Sequence, residues 1–240
     1  MTPRAIGRVL SLAVLLALCL PPYLVSRLFG RGTFWVRMVL AGAAWILGLR
    51  VRLEGQPLVG NVLYAANHVS WLDIPALGGR VPARFIAKSE IAGWSVIGWL
   101  AKEGGSVFVA RQKRSEAQRQ ADAVTTALGE GVPVVLFPEG GTGDGVRLDP
   151  FRAPLFSSAT AAAVPVQPIV IDYGARQAEI AWPDGARFSE EMRRMLNRPA
   201  PVAVTLHFLP PLDAASLDRK ALAARAHAAI AGALGVSRPA

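Results

Sequence analysis

The chain has 240 residues, which is enough for one α/β domain with a short additional segment. It is 52% hydrophobic and carries a formal net charge of +9, mostly from arginine, so its partner is expected to be either nucleic acid or an anionic membrane surface. The basic residues do not gather on one helix and no nucleic-acid-binding signature is present, which favours the membrane, and the single cysteine excludes an intrachain disulfide.

Two apolar stretches occupy the first 54 residues. Val9 to Leu20 is unbroken up to Pro21-Pro22, and Met38 to Leu49 forms the second stretch. Each is shorter than the ~20 residues that cross a bilayer as a helix. We therefore predict that residues 1–54 form two membrane-associating helices lying in one leaflet, with arginine side chains reaching the lipid phosphates. The alternative is a single kinked transmembrane helix that continues through the prolines to Leu28.

The location of the protein follows from the same segment. No clear small-x-small cleavage site follows the first apolar stretch, which argues against a cleaved signal peptide. Basic residues flank both stretches, and this favours a cytoplasmic orientation. We expect the chain to lie on a bacterial-type inner (cytoplasmic) membrane, with a catalytic domain of residues 55–240 facing the cytoplasm.

Residues 55–240 alternate apolar runs with helical patterns, which predicts an α/β domain with a mixed sheet. The predicted strands are 62–66, 84–87, 106–110, 132–137, 164–171, 177–182 and, as an edge strand, 202–209. The predicted helices are 71–77, 90–101, 115–128, 151–163, 192–197 and 217–234. Asp213 is expected to cap the last helix and Gly235 to end it.

The segment Asn67-His68-Val69-Ser70-Trp71-Leu72-Asp73 directly follows the first predicted strand. His68 is therefore expected at a strand end, where loops hold reactive groups on a rigid scaffold. An imidazole near its own pKa can take a proton from a hydroxyl, and a carboxylate on its other ring nitrogen fixes the tautomer. Asp73, at the start of the next helix, is placed to supply that carboxylate. A histidine and an aspartate that merely cap a loop would give the same pattern.

Four segments in the same order resemble the glycerolipid acyltransferases, the family of 1-acylglycerol-3-phosphate acyltransferases. His68 and Asp73 are similar to the family's H-x4-D block. The other three segments are Gly105-Ser106-Val107-Phe108-Val109-Ala110-Arg111, Leu136-Phe137-Pro138-Glu139-Gly140 and Val164-Pro165-Val166-Gln167-Pro168-Ile169. The resemblance covers residues 55–210 and implies a seven-stranded type of acyltransferase domain behind an N-terminal pair of membrane helices.

The resemblance also implies the reaction and the roles of individual residues. A fatty acyl group would pass from acyl carrier protein or acyl-CoA to the free hydroxyl of a lysolipid, in membrane lipid biosynthesis. His68 would take the hydroxyl proton and Asp73 would orient His68. Arg111 would contact the polar head of the acceptor, Glu139 would bind the acceptor or anchor the loops near His68, and donors near Gly140 would hold the oxyanion. Apart from the thioester donor, no cofactor or metal is implied.

The third block departs from the family pattern F-P-E-G-T-R-S, because Phe137 to Gly145 reads F-P-E-G-G-T-G-D-G. The arginine expected to grip a phosphate is absent. The altered block resembles a branch that acylates lyso-ornithine lipid, whose amino-acid headgroup carries no phosphate. Asp144 would then meet an ammonium group, whereas Arg147 would replace the missing arginine if the acceptor is lysophosphatidate. Thr142 is a further candidate contact of the acceptor in this loop.

Other functional classes find less support in the sequence. There is no G-x-S-x-G of a serine hydrolase and no G-x-x-x-x-G-K-[ST] nucleotide loop. Three scattered histidines do not supply a metal site, and we interpret His207, which has no predicted partner, and His227, on a solvated helix face, as structural. A non-catalytic membrane adaptor is the competing interpretation.

Overall fold

The computed structural model describes residues 2–30, 32–109, 114–182, 186–199 and 201–235. The helices are α1 (Pro3–Arg27), α2 (Gly32–Ile46), α3 (Asp73–Gly78), α4 (Ser95–Glu103), α5 (Arg114–Gly129), α6 (Ser157–Ala162), α7 (Gln177–Ile180), α8 (Phe188–Asn197) and α9 (Arg219–Leu234). The strands are β1 (Leu49–Gly55), β2 (Leu63–Ala66), β3 (Arg84–Lys88), β4 (Val107–Val109), β5 (Val134–Leu136), β6 (Val166–Asp172) and β7 (Val202–Phe208). Short 3-10 helices occupy Ser89–Gly93, Ala153–Phe156 and Gly174–Arg176.

The strands form one seven-stranded sheet in the order β1-β7-β6-β2-β5-β3-β4. Among the strands of the described residues, only β6 and β7 pair antiparallel, and every other neighbouring pair is parallel. The predicted α/β class with a mixed sheet is therefore confirmed. Because β2, β5 and β6 run parallel side by side, the segments that follow them meet at one edge of the sheet, which is where α/β proteins place their ligands.

The sheet is covered on both faces. Successive residues of β5 point to opposite sides, so Val135 packs in one hydrophobic cluster whereas Val134 and Leu136 pack in another. The first cluster includes Leu72 and Leu77 from the α3 region, and the second includes residues of α5, α6 and α9. Burial on both faces explains why β2 and β5 are continuous apolar runs in the sequence.

Strand β1 was not predicted, and its presence corrects two interpretations. The segment Leu49–Gly55 pairs in parallel with β7 over its whole length. As a result β7 lies inside the sheet, between β1 and β6, and the prediction of an edge strand at 202–209 is wrong. The sheet also begins before residue 55, so residues 49–54 belong structurally with it, while the functional division at residue 54 stays a prediction.

The predicted strand at 177–182 is also wrong, because residues 177–180 form α7. The backbone N–H of Tyr173 donates to the Gln177 side chain at 2.8 Å, so the chain turns back directly after β6 instead of extending. At α9, the N-cap is Asp218, whose carboxylate accepts from the Ala221 N–H at 2.7 Å, and not the predicted Asp213. Gly235 ends α9 in a left-handed conformation as predicted, with φ of +66°.

The two histidines outside the four segments that resemble the acyltransferase family also differ from expectation. His207 on β7 does have a partner, since its Nδ1 lies 3.0 Å from Glu54 Oε2. His227 on α9 is buried, with its ring edge-to-face with Phe151 and its Nε2 3.4 Å from the Leu148 carbonyl. The sequence did not reveal these contacts, because the partners of both histidine rings come from distant segments of the chain.

Helices α1 and α2 confirm the prediction of two apolar N-terminal helices. By length and composition α1 is able to cross a membrane, whereas α2 is shorter. The helix α1 continues through Pro21 and Pro22. Many large apolar side chains of this pair are exposed, namely Ile6, Val9, Leu10, Val14, Leu18, Leu20, Leu24, Val25, Leu28, Phe29, Phe34, Met38 and Trp45. Their membrane association stays a prediction.

Candidate active site at the carboxyl ends of the central strands

His68 and Asp73 lie together as the sequence predicts. His68 follows β2, Asp73 is the first residue of α3, and His68 Nδ1 is 2.8 Å from Asp73 Oδ2. The same oxygen accepts the backbone N–H groups of Val69 at 2.7 Å and Ser70 at 3.0 Å. Asp73 is completely buried, whereas the His68 side chain is 18% exposed. The carboxylate thus holds both the turn and Nδ1, which leaves Nε2 for a substrate.

Tyr173 completes the environment of Asp73. It follows β6, and its hydroxyl donates to Asp73 Oδ1 at 2.6 Å. Burial raises the pKa of the Tyr173 hydroxyl well above its usual value, and the Asp73 charge acts in the same direction. The phenol therefore keeps its proton and is a fixed donor. Sequence reasoning missed this residue because it lies 100 positions from Asp73 and no local pattern marks it.

The plane of the His68 ring is fixed by Phe137 at the end of β5. The two rings stack with centroids 3.9 Å apart and an angle of 15° between their planes. Phe137 in turn stacks on Phe85 at 6.3 Å. The phenylalanine of the third block therefore restricts rotation of the imidazole that would accept the proton.

Glu139 ties two loops together beneath the histidine. Its Oε1 accepts the backbone N–H of His68 at 2.7 Å, and its Oε2 accepts that of Asp149 at 3.1 Å. Burial raises the pKa of Glu139 to about 8, although the two backbone donors act in the opposite direction. Of the two roles predicted for this residue, these contacts are those of a loop anchor.

Gly140 and Thr142 shape the loop after the third block. Gly140 adopts φ of +84°, and a Cβ there would come within 2.7 Å of Arg152 Cζ, so the guanidinium packs against the glycine. The Gly140 N–H donates to the Phe137 carbonyl at 3.1 Å, which occupies the donor that a transition-state oxyanion would need. The Thr142 hydroxyl donates to the Trp182 carbonyl. Both residues therefore support the loop in this state.

Asp144 and Arg147 form a local turn at the rim of the site. Asp144 Oδ1 accepts the N–H groups of Val146 at 2.8 Å and Arg147 at 2.9 Å, and these donors lower the pKa of Asp144. Arg147 Nε lies 3.5 Å from Asp144 Oδ2, and its side chain is 75% exposed. The guanidinium of Arg147 is thus largely exposed beside the cavity, whereas one carboxylate oxygen of Asp144 is committed to the turn.

A cavity of 330 Å³ opens beside His68. It is lined by Asn67, His68, Val69, Glu139, Gly143, Gly145, Val146, Arg147, Leu148, Asp172, Gly174, Gln177 and Leu234. Of the residues predicted to bind the acceptor, the structure brings Glu139 and Arg147 to this cavity, while Gly140, Thr142 and Asp144 lie in the adjoining loop. Arg111 lies outside the described residues. Asp172, at the end of β6, is a lining residue that sequence reasoning did not select.

Asn67 and Gln167 show how the strands are held in place beneath the cavity. Asn67 exchanges two hydrogen bonds with the Ile171 backbone, at 3.0 and 2.7 Å, and is buried. Gln167 accepts from the Leu58 N–H at 2.9 Å and donates to the Gln56 and Leu209 carbonyls. The Asn67 bonds fix the end of β2 against β6, and with it the spacing between His68 and Tyr173. The Gln167 bonds tie β6 to the segments before β2 and after β7.

A half-buried histidine paired with a buried aspartate, beside an open cavity at the edge of an α/β sheet, is an arrangement that can abstract a proton from a hydroxyl. A family model described as acyltransferase matches residues 50–172 of the chain. The chain is 35% identical over 239 residues to a lyso-ornithine lipid O-acyltransferase of Pseudomonas aeruginosa, covering 98% of this chain and 91% of the relative. It therefore belongs to the acyltransferase family and is an acyltransferase, which sets aside the non-catalytic adaptor.

Two further comparisons agree with this family. A 1-acyl-sn-glycerol-3-phosphate acyltransferase of Neisseria gonorrhoeae is 40% identical over 146 residues, which are 59% of this chain and 57% of that protein. The crystal structure of the 1-acyl-sn-glycerophosphate acyltransferase of Thermotoga maritima superposes with a TM-score of 0.71 at 22% identity, covering 99% and 100% of the two chains. The latter similarity shows a shared fold.

Proposed function

We propose that this acyltransferase moves a fatty acyl chain from a thioester, acyl-ACP or acyl-CoA, to the free hydroxyl of a lysolipid. The observation that supports the proposal is the buried Asp73 carboxylate on Nδ1 of His68, with the His68 ring beside the cavity. His68 Nε2 takes the hydroxyl proton while the oxygen attacks the thioester carbonyl. Collapse of the tetrahedral intermediate breaks the carbon–sulfur bond, and the proton passes from His68 to the leaving thiolate. The products are the acylated lipid and the free thiol.

The protein's contribution to this step is mainly orientation and charge. Asp73 stabilises the imidazolium that forms, and Phe137 holds its plane. General-base catalysis by a positioned histidine contributes about 10²–10⁴-fold. A water-poor environment around the completely buried Asp73 strengthens the pairing in the transition state.

We propose lyso-ornithine lipid as the acceptor. The cavity presents charges of both signs, with Arg147 and Asp172 among its lining residues. An amino-acid headgroup likewise carries a carboxylate and an ammonium, whereas a phosphate monoester carries negative charge alone. The relative from Pseudomonas aeruginosa, which matches along nearly the full chain, bears this activity in its name. Lysophosphatidate is the second candidate, because a Neisseria protein named as a 1-acyl-sn-glycerol-3-phosphate acyltransferase also matches, over 59% of this chain.

Asp172 is better suited to the ammonium than Asp144. Its Oδ1 accepts the Gly174 N–H at 2.7 Å, and its Oδ2 lies 3.9 Å from His207 Nε2, too long for a hydrogen bond. It lines the cavity next to His68, whereas Asp144 faces its own turn and Arg147. We therefore assign the ammonium contact to Asp172 and the carboxylate contact to Arg147.

The acceptor is tested by offering the detergent-purified full chain a labelled acyl donor with either lysolipid. We expect transfer to lyso-ornithine lipid, and we expect Asp172→Asn to weaken it about 10-fold because a charged hydrogen bond is lost. Arg147→Gln is the matched variant, since it removes the positive charge assigned to the carboxylate of the headgroup. Transfer to lysophosphatidate alone would overturn the acceptor and leave acyl transfer intact. No transfer to either would overturn the proposed function.

We further propose that α1 and α2 hold the enzyme on the inner membrane with the sheet facing the cytoplasm. The apolar side chains exposed along both helices have no counterpart to cover them within the described parts of the chain. An acceptor with one acyl chain resides in the bilayer, so an enzyme docked there meets it without extracting it into water. Association with liposomes that contain anionic lipid tests this location.

A further inference from the structure

We propose that Tyr173 is a positioning residue for acyl transfer, and that its hydroxyl controls how Asp73 pairs with His68 by fixing the second oxygen of Asp73. The inference rests on the proposed role of His68 as the base. It adds a third member, from a different strand, to the pair that the sequence reveals. Tyr173 touches neither the acyl group nor the acceptor, and acts through Asp73 alone.

The two carboxylate oxygens of Asp73 accept hydrogen bonds from different groups. Oδ2 receives His68 Nδ1 and the backbone N–H groups of Val69 and Ser70. Oδ1 receives the Tyr173 hydroxyl at 2.6 Å, which is a short, charge-assisted bond. Asp73 is completely buried, so a lost donor at Oδ1 is not readily replaced by bulk water.

The direction of the effect follows from how the charge divides between the two oxygens. A strong donor at Oδ1 draws negative charge away from Oδ2, so Oδ2 becomes a weaker acceptor for the His68 N–H. Removing that donor strengthens the attraction between Oδ2 and the imidazolium. Tyr173→Phe is therefore expected to need a higher pH than the wild type for full activity.

Two other charged groups near this network come from separate elements. Glu139, after β5, accepts the His68 backbone N–H. Arg198, after α8, lies near enough to Tyr173 to lower the pKa of its hydroxyl, against the larger effect of burial. Both groups are unchanged when only the Tyr173 hydroxyl is removed, so a shift in pH dependence reports on that hydroxyl.

The backbone of Tyr173 is held in place, and its neighbours in sequence line the cavity. Its own N–H donates to the Gln177 side chain, and Asp172, Gly174 and Gln177 all line the cavity beside His68. Tyr173 therefore lies between the wall of the cavity and the buried face of Asp73. The Tyr173 backbone is fixed by its bond to Gln177, and its side chain is buried with the hydroxyl on Asp73, which suits a positioning role.

The test compares Tyr173→Phe with Tyr64→Phe in the full chain. Tyr64 is also buried, but its hydroxyl donates to the Leu58 carbonyl, so this variant removes a buried phenol hydroxyl away from Asp73. We expect Tyr173→Phe to lower kcat about 10-fold with little change in KM, because Asp73 is no longer held in one orientation against His68 and this loss outweighs the stronger attraction of Oδ2 for the imidazolium. We also expect the acid limb of its kcat/KM profile to move up by about 0.5–1 pH unit, and Tyr64→Phe to leave the limb in place.

A second variant keeps the shape of the ring in case Tyr173→Phe folds poorly. Replacing the three tyrosines with 3-fluorotyrosine makes each hydroxyl a stronger donor, so the acid limb is expected to move to lower pH. Opposite shifts in the two variants would support the proposal. An unmoved limb in both, with only the melting temperature altered, would mean that Tyr173 is merely structural and would overturn it. Transfer that persists in His68→Ala would instead overturn the proposed function itself.

Discussion

The catalytic edge of the sheet and the N-terminal helix pair differ in how their polar and apolar groups are satisfied. At the edge, His68, Asp73 and Glu139 are buried or half-buried, and each has hydrogen bonds from neighbouring segments. Along α1 and α2, by contrast, large apolar side chains face outward. The difference teaches that the polar groups of the candidate active site are satisfied within the chain, whereas the described residues leave the outer apolar face of the helix pair uncovered, as the proposed membrane docking requires.

The helix pair is nevertheless attached to the rest of the domain near both ends of α1. Arg8 Nη1 donates to three carbonyls at the end of α8, those of Met195, Leu196 and Arg198, at 2.9–3.0 Å. Near the other end, the Tyr23 hydroxyl donates to Glu103 at the end of α4. The helix thus has an apolar outer face and polar attachments at its ends. Such attachments would hold the membrane surface at a fixed distance from the cavity.

The largest effect is expected from Asp73→Asn, which changes one atom at the preorganised edge. The asparagine can keep one acceptor for the turn but loses the charge that stabilises the imidazolium. We expect kcat to fall on the order of 10³-fold with the fold retained. Kinetics of acyl transfer and circular dichroism measure the two properties. A fall of less than about fivefold would show that the preorganised edge is not catalytic.

The next effect concerns the outer face of α1. Leu18 is 70% exposed on that face, and burying a leucine in an apolar phase stabilises by about 1.5–3 kcal/mol. We expect Leu18→Glu to weaken binding to anionic vesicles by about 10–100-fold, as measured by cosedimentation. Leu53→Glu, at an exposed leucine of β1, is the control and should bind normally. Equal binding of both variants would contradict a membrane-facing α1.

A smaller effect is expected at the joint between the regions. Arg8→Ala removes a cationic donor from the negative end of α8, a loss of about 1.5–3 kcal/mol of local stability. Hydrogen exchange in the first turns of α1 should therefore accelerate, while exchange in β2 and β5 stays slow. Arg4→Ala, at an exposed arginine of the same helix, should leave the exchange unchanged. Faster exchange throughout the sheet would mean that α1 is part of the catalytic core.

A separate effect, on stability and not on activity, is a change in the pH dependence of unfolding. Because burial raises the pKa of Glu139 from 4.5 to about 8, the folded state binds the proton more tightly than the unfolded state. The free energy of unfolding should therefore decrease as pH rises between about 4.5 and about 8. Glu139→Gln, which carries no titrating proton, should flatten this slope in melts taken across that range. Parallel slopes for the two proteins would contradict the role of burial.

Much of the site was predictable because its chemistry is local. His68 and Asp73 are close in sequence, and the strand before them is a clear apolar run. Tyr173 was not predictable, since its link to Asp73 spans 100 residues and depends on β6 lying beside β2. Asp172 escaped selection for the same reason. Pairing between distant strands decides which side chains meet, and a single sequence does not specify it.

The errors in the fold have a common physical cause. In Leu49-Arg50-Val51-Arg52-Leu53 the arginines alternate with apolar residues, which suits an exposed strand as well as the flank of a membrane segment. Because β1 was not predicted, β7 was expected at the edge of the sheet. In 177–182 the short apolar pattern fits either a strand or a helix turn. The structure has a helix there, and the Tyr173 N–H donates to the side chain of Gln177, the first residue of α7.

The most direct measurement of the central claim is acyl transfer by His68→Ala beside the wild type. Both are purified as full chains in detergent and given a labelled acyl donor with lyso-ornithine lipid. His207→Ala, at a histidine of β7 paired with Glu54, is the matched control. We expect the wild type and the control to form ornithine lipid and His68→Ala to lose transfer by on the order of 10³-fold or more. Transfer by His68→Ala at the wild-type rate would contradict the account.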